Sequence, residues 1–323
     1  MWDFGRVFIL SFTNHSLYNM SLKKYVWMAC LLGVCAFTAC TPENKTEGTD
    51  QDTTAAAGTD ATMDTVRADA GAGDNNPVLS GLPPTSEVPA LLQLSGADFN
   101  PTLVNAAAKS SGYTTTTDKA ALNLGIYASD IGYLSVYDKT QDVITYLKSA
   151  EKLANHLGLN NTFGTEMQQR FQKNVNNKDS LVKIVDETMN YVNSFLKEGN
   201  RDATAALIVT GSFVEGLYLS TGLIEKYPKD VPADVRNQTL TSLITSITKQ
   251  EESLDDLIDI LQEVKSDPQA QAYLTQMQDL KKQFEALNLD DQIKQNRGDL
   301  MINDKTLTGI SAKVKEIRGK IVS

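Results

Sequence analysis

A chain of 323 residues with 40 acidic against 30 basic side chains has a formal net charge of -10. Such a surface repels phosphate backbones, because nucleic-acid binding depends on Lys and Arg displacing counterions, so no nucleic-acid partner is expected. Three cysteines and two histidines leave little material for metal or nucleophile chemistry.

Met1–Asn19 fits no targeting pattern and is read as the product of an upstream start codon, since Met20 opens a complete signal by itself. Lys23 and Lys24 form a positive segment, followed by an apolar run from Val26 to Phe37 and then Thr38, Ala39 and Cys40. Twelve apolar residues are too few for a helix crossing a hydrocarbon core of about 30 Å, but they suit the core of a cleaved signal peptide. Phe37-Thr38-Ala39-Cys40 resembles the lipobox of bacterial lipoproteins, with Phe37 in place of the usual aliphatic residue. The resemblance implies cleavage before Cys40, lipid attachment to that cysteine, and a membrane partner reached through the lipid. Both tryptophans (Trp2, Trp27), Cys30, Cys35 and His15 would leave with the signal. Arg6, Lys23, Lys24 and Asp3 would go too, so 27 of the 30 bases and 39 of the 40 acids remain, a net charge of -12. Disulfides, cysteine zinc sites and cysteine nucleophiles would then be unavailable.

Residues 40–84 read as a tether. From 41 to 84, eight acids stand against Lys45 and Arg67, with almost no large apolar side chain. Such a stretch cannot bury enough surface to offset its ordering entropy and is expected to be disordered, spanning roughly 35–40 Å. By its likeness to the enterobacterial sorting scheme, Thr41 in place of Asp implies the outer membrane. Asp52-Thr53-Thr54 and Asp64-Thr65-Val66 resemble the O-glycosylation sites of Bacteroidota.

The region 85–323 is expected to be one all-α domain, an antiparallel helical bundle or stacked helical hairpins of about 8–10 helices. Ser86 opens a short helix ending at Gly96, and Asn100-Pro101 a second. Long helices follow over Asp118–Tyr137, Thr140–Leu157 with Gly158 as its stop, Glu166–Val175, Leu181–Leu196 and Ala203–Tyr227. In Leu181–Leu196 the expected buried stripe is Leu181, Val185, Thr188, Val192 and Phe195. Between 234 and 265, Leu240, Leu243, Ile247, Gln250, Leu254, Leu257, Leu261 and Val264 alternate at three and four, a heptad seam. Asp267-Pro268 restarts a helix, and after an irregular stretch (289–304) a last one carries Leu307, Ile310, Val314, Ile317 and Ile321. Alternation suggestive of a strand occurs only at Asp299–Asn303.

The unusual residues are carboxylates inside the two apolar helices, Asp130 and Glu215. A buried ionised carboxylate is costly unless paired. One reading makes Asp130, Tyr133, Glu215 and Tyr218 a small-molecule or ion-binding centre; the blander one makes the acids structural anchors to tyrosine hydroxyls. Asp130-Ile-Gly-Tyr-Leu-Ser135 and Glu215-Gly-Leu-Tyr-Leu-Ser220 share a pattern 85 residues apart, each after a stretch of small residues. Either a duplicated helical unit or coincidence between two apolar helices accounts for this. Ser149, Ser180 and Ser246 each precede a lysine by three, the spacing of penicillin-recognising nucleophiles, but lack the companion motifs. A lone His156 at a helix end is no metal site. Glu251, Glu252, Asp255, Asp256 and Asp259 read as a solvated face rather than a calcium loop. No cofactor, metal or enzyme motif can be assembled.

The layout resembles the all-helical lipoproteins of Bacteroidota, a likeness that implies no activity. The expectation is a lipid-anchored cell-envelope protein with a binding or scaffolding role, partnered by an envelope protein or a second copy of itself. Docking would use exposed apolar faces on Leu240–Val264 or Leu307–Ile321. The alternative is a ligand- or ion-binding lipoprotein built on the two carboxylates.

Overall fold

The long apolar helices meet at the centre of the domain, and everything else is arranged around their crossing. A computed structural model describes residues 98–159, 165–174 and 177–323, all within one unit, Gly71–Ser323. The signal segment, Cys40, the tether and the short helix expected between Ser86 and Gly96 lie outside the described residues. Within them the protein is all-α, with no strand. A 3-10 helix at Ala107–Tyr113 precedes α1 (Thr117–Val136), α2 (Thr140–His156), α3 (Thr165–Asn174), α4 (Lys178–Glu198) and α5 (Asp202–Lys226). Then come α6 (Ala233–Glu263), α7 (Pro268–Glu285), α8 (Asp290–Lys294), α9 (Gly298–Met301) and α10 (Lys305–Ile321).

Local chemistry explains the boundaries. Thr116, Asn177, Asp267 and Asp304 cap α1, α4, α7 and α10 by accepting from backbone amides two or three positions on, which satisfies otherwise orphaned donors. Three of the long helices end alike. Asp138, Gly158 and Asn200 take φ of 55°, 72° and 53°, and the next amide returns to the carbonyl five residues earlier (Lys139 to Leu134, Leu159 to Ala154, Arg201 to Leu196). This closing turn needs a left-handed residue, which Gly, Asn and Asp tolerate best.

α1 and α5 cross with almost nothing between them. A methyl at Gly125 would lie 2.0 Å from the Ile208 carbonyl oxygen, and one at Gly211 would lie 2.0 Å from that of Leu122. The contact is reciprocal: each glycine faces the carbonyl three residues before the other. Ser129 seals it, with its Oγ 3.0 Å from the Ser212 carbonyl and 2.9 Å from the Ser212 hydroxyl. α2 and α4 pack on α1, while α6 and α10 pack on α5. α5 is the one described helix long and apolar enough to cross a membrane, yet 83% of its apolar window is buried inside the domain. It is a core helix by placement.

Four expectations are corrected. Asn100-Pro101 opens a single turn, not a helix: Asn100 Oδ1 accepts from the Thr102 amide and hydroxyl, and the chain runs on as an irregular strap to Ala106. Asp299–Asn303 contains the end of α9, not a strand; Gly298 lets α9 approach α6, where a methyl would lie 2.7 Å from the Asn237 carbonyl oxygen. On α4 the buried stripe continues from Val192 to Leu196, fully buried, and leaves Phe195 38% exposed. Finally, the heptad seam and the α10 stripe are not free faces. Leu240 through Leu261 and Leu307 through Ile321 are buried within the domain, with α6 packed on α5, α7 and α9, and α10 on α5 and α7.

Candidate functional site

The crossing brings the two sequence-marked acids together. Asp130 and Glu215 are both 0% exposed, and they lie close enough for the Glu215 charge to act on the Asp130 carboxyl. Glu215 is held from α10: Arg318 donates through Nε to Oε2 at 2.6 Å and through Nη2 to Oε1 at 2.8 Å. This forked geometry is the strongest pairing a carboxylate finds in a protein. The same guanidinium donates to the Leu103 carbonyl at 3.2 Å and lies 4.0 Å over the Tyr218 ring, a cation–π contact.

The strap of residues 98–106 closes the cluster. The Asn105 amide donates to Asp130 Oδ2 at 3.1 Å, and the Asn100 amide donates to the Tyr133 hydroxyl at 2.8 Å. Tyr127 donates to the Ala106 carbonyl at 2.9 Å and Ser149 to that of Ala107 at 3.0 Å. Leu103 plugs in beside Gly222, where a methyl would lie 2.6 Å from its Cδ2. Phe99 stacks on Tyr133 with ring centroids 5.4 Å apart, under the Lys139 ammonium at 4.6 Å. Irregular backbone has no ladder of its own, so core side chains supply the partners that its polar groups require. Tyr113, in the 3-10 helix, and Asn123 cap the Val322 and Ile321 carbonyls at the end of α10.

Burial pushes the Asp130 carboxyl well above the carboxylate range, and the neighbouring Glu215 charge adds to it. Glu215 is raised by burial as well, against the pull of Arg318. Although burial opposes its charge, Arg318 is raised by its contact with Glu215. Burial also raises the phenols of Tyr113, Tyr127 and Tyr146, and that of Tyr133 to about 12. All four therefore serve as neutral hydroxyls.

No protein-family model matches the chain, and no curated protein or solved structure matches it either. Asp130, Tyr133, Glu215 and Tyr218 do converge on one region, but on Arg318 and the strap rather than on an open cavity. The two tyrosines do different work: Tyr133 holds the Asn100 amide and Tyr218 supports the guanidinium. Ser135 and Ser220 do the same thing, each donating to the carbonyl four residues back at 2.7 and 2.6 Å. Among the described residues no cluster of three metal-ligating side chains occurs. A small crevice of about 20 Å³ lies elsewhere, lined by apolar residues of α1 to α4 such as Leu124, Leu147, Phe171 and Met189.

Arg318 and Asn105 escaped the sequence reading. Arg318 had a signal: Val314, Ile317 and Ile321 make an apolar stripe, and a cation four residues after Val314 falls on it. Asn105 had none, since nothing periodic marks an irregular strap. Ser149 holds the start of the 3-10 helix through the Ala107 carbonyl.

Proposed function

We propose that this chain is a lipid-anchored envelope protein whose helical domain is a binding or scaffolding module. What carries the reading is the run Lys23-Lys24, Val26–Phe37 and Cys40, with the outer membrane favoured by Thr41. What supports a non-catalytic role is that Glu215 is held by Arg318 and Asp130 Oδ2 by the strap. A small molecule or ion at Asp130 and Glu215 would first have to displace one of these. Recognition of an envelope partner, or of a second copy, would then fall to the surface.

The test is fractionation of cells producing the wild-type chain or Cys40→Ser. The wild type partitions with outer membranes, has an acylated Cys40 by intact mass, and lacks tryptophan fluorescence. The variant is released. A Cys40→Ser protein that stays membrane-bound overturns the anchor.

A further inference from the structure

We propose that Asp130 is the site of a structural proton: its carboxyl stays protonated in the folded domain, donates through Oδ1 to Glu215, and makes docking of the 98–106 strap depend on uptake of one proton.

A fully buried carboxyl oxygen without a donor calls for a proton. Asp130 Oδ2 accepts the Asn105 amide, but Oδ1, fully buried, faces no donor. Its carboxyl partner Glu215 already accepts two hydrogen bonds from Arg318 and has none to give. Two ionised carboxylates at 0% exposure beside one guanidinium would repel each other with no water to screen them, so one of them must be the acid. Glu215, with both oxygens on a guanidinium, is the better anion. Asp130, with a single amide, is the acid.

Charge leads to the same assignment. The groups facing Asp130 are Glu215 from α5, Arg318 from α10, Tyr113 from the 3-10 helix, Tyr127 and Tyr133 from α1, and Tyr146 from α2. The tyrosines are neutral, so one cation faces two acids. With both ionised, the cluster would bury an uncompensated negative charge at 0% exposure, which proteins avoid by neutralising the group. The strap enters because residues 103–105 touch both halves of the cluster, through the Leu103 carbonyl and the Asn105 amide. Lifting them lets water reach Asp130, and a hydrated aspartate ionises.

The sign follows from linkage. A carboxyl raised in the folded state binds its proton more tightly there than in the unfolded chain. Its stabilisation is complete below the unfolded value of roughly 3.9 and is lost as pH climbs toward the folded value. The limit is about a tenfold fall in the folding equilibrium constant per pH unit.

The experiment is carbon NMR of the full chain in detergent, labelled at the aspartate side-chain carboxyl. At pH 7 one aspartate resonance should show the protonated shift; finding all of them ionised overturns the proposal. Asp130→Asn keeps the shape and supplies a permanent donor to Glu215. It should remove that resonance, flatten the fall in stability that the wild type shows as pH rises above about 4, and keep the Asn105 amide protected from exchange over the range in which the wild type progressively loses protection. An Asp130→Asn protein with the wild-type pH dependence also overturns the proposal. If the variant does not fold, the wild-type resonance decides alone.

Discussion

Gly125→Ala and Gly216→Ala are the same chemical change in two central helices, and they are expected to have opposite signs. In a helix interior the change normally stabilises by about 0.5–1 kcal/mol, because alanine has less backbone entropy to lose. At Gly216 a new methyl meets nothing within 4 Å, so that gain should appear in full. At Gly125 the methyl would sit 2.0 Å from the Ile208 oxygen and 2.6 Å from the Ser212 nitrogen. Both are backbone atoms of α5 and cannot swing away. Relief requires α1 and α5 to part by more than 1 Å, loosening the Ser129–Ser212 contacts and the acid pair beyond them. Overpacking of this kind costs about 1–3 kcal/mol and sometimes more, which outweighs the propensity gain, for a net loss of about 2 kcal/mol. For a domain of this size each kcal/mol moves Tm by about 2–4 °C. Thermal unfolding by far-UV circular dichroism should show Gly125→Ala about 4–8 °C below wild type and Gly216→Ala about 1–4 °C above. A Gly125→Ala protein melting at or above wild type would mean that the crossing is not close-packed, and the fold described for α1 and α5 would be wrong.

Removing one member of the buried ion pair should cost more than removing both. Arg318→Met or Glu215→Leu alone should lose about 3–5 kcal/mol in urea unfolding, with the double variant recovering part of it. On α4, Leu196→Ala should cost about 2–5 kcal/mol, whereas Phe195→Ala, at a half-exposed position, should cost less than about 1 kcal/mol; equal losses would contradict the register of that helix. On the acid side, burial works against Glu225, but hydrogen bonds from Lys315 and Ser311 hold it below the usual carboxylate range. Its contribution is present above its unfolded value of roughly 4.3 and disappears as pH falls. Glu225→Gln should therefore lower stability near neutrality and converge with wild type in acid.

Most helices were legible because each has to bury one stripe and end in recognisable chemistry. Gly158 and Asp267-Pro268 mark an end and a start that the structure keeps, and the seam from Leu240 to Leu261 is buried as its spacing implied. What covers that seam was not legible: a heptad pattern states that a face is buried, not whether a neighbour within the domain or another chain buries it. Phe195 went astray because Val192 can be followed at either three or four residues, and the turning of the helix favours Leu196. Asn100-Pro101 is a start signal shared by helices and single turns, and the downstream contacts of Leu103 and Asn105 select the turn. The meeting of Asp130 with Glu215 was foreshadowed by their matching surroundings and the small residues before each. The glycines that face one another are 86 residues apart, one more than the shared Tyr-Leu-Ser pattern, so the crossing and the pattern are not in strict register. The role of the strap could not be read at all, because its partners lie as far as 215 residues away and its backbone has no period.

The strap is also where mechanical load would enter the domain. Tension transmitted through Asp98 would meet Phe99 on Tyr133 first, then the Asn100 amide on the same tyrosine, then Leu103 in its notch beside Gly222, then Asn105 on Asp130. These attachments lie in series along the strap, whereas α1 and α5 are joined along a close-packed crossing. A pull from the N-terminal side would thus peel off several residues of slack before it strained a helix, leaving the α1–α5 crossing intact while the strap reseats.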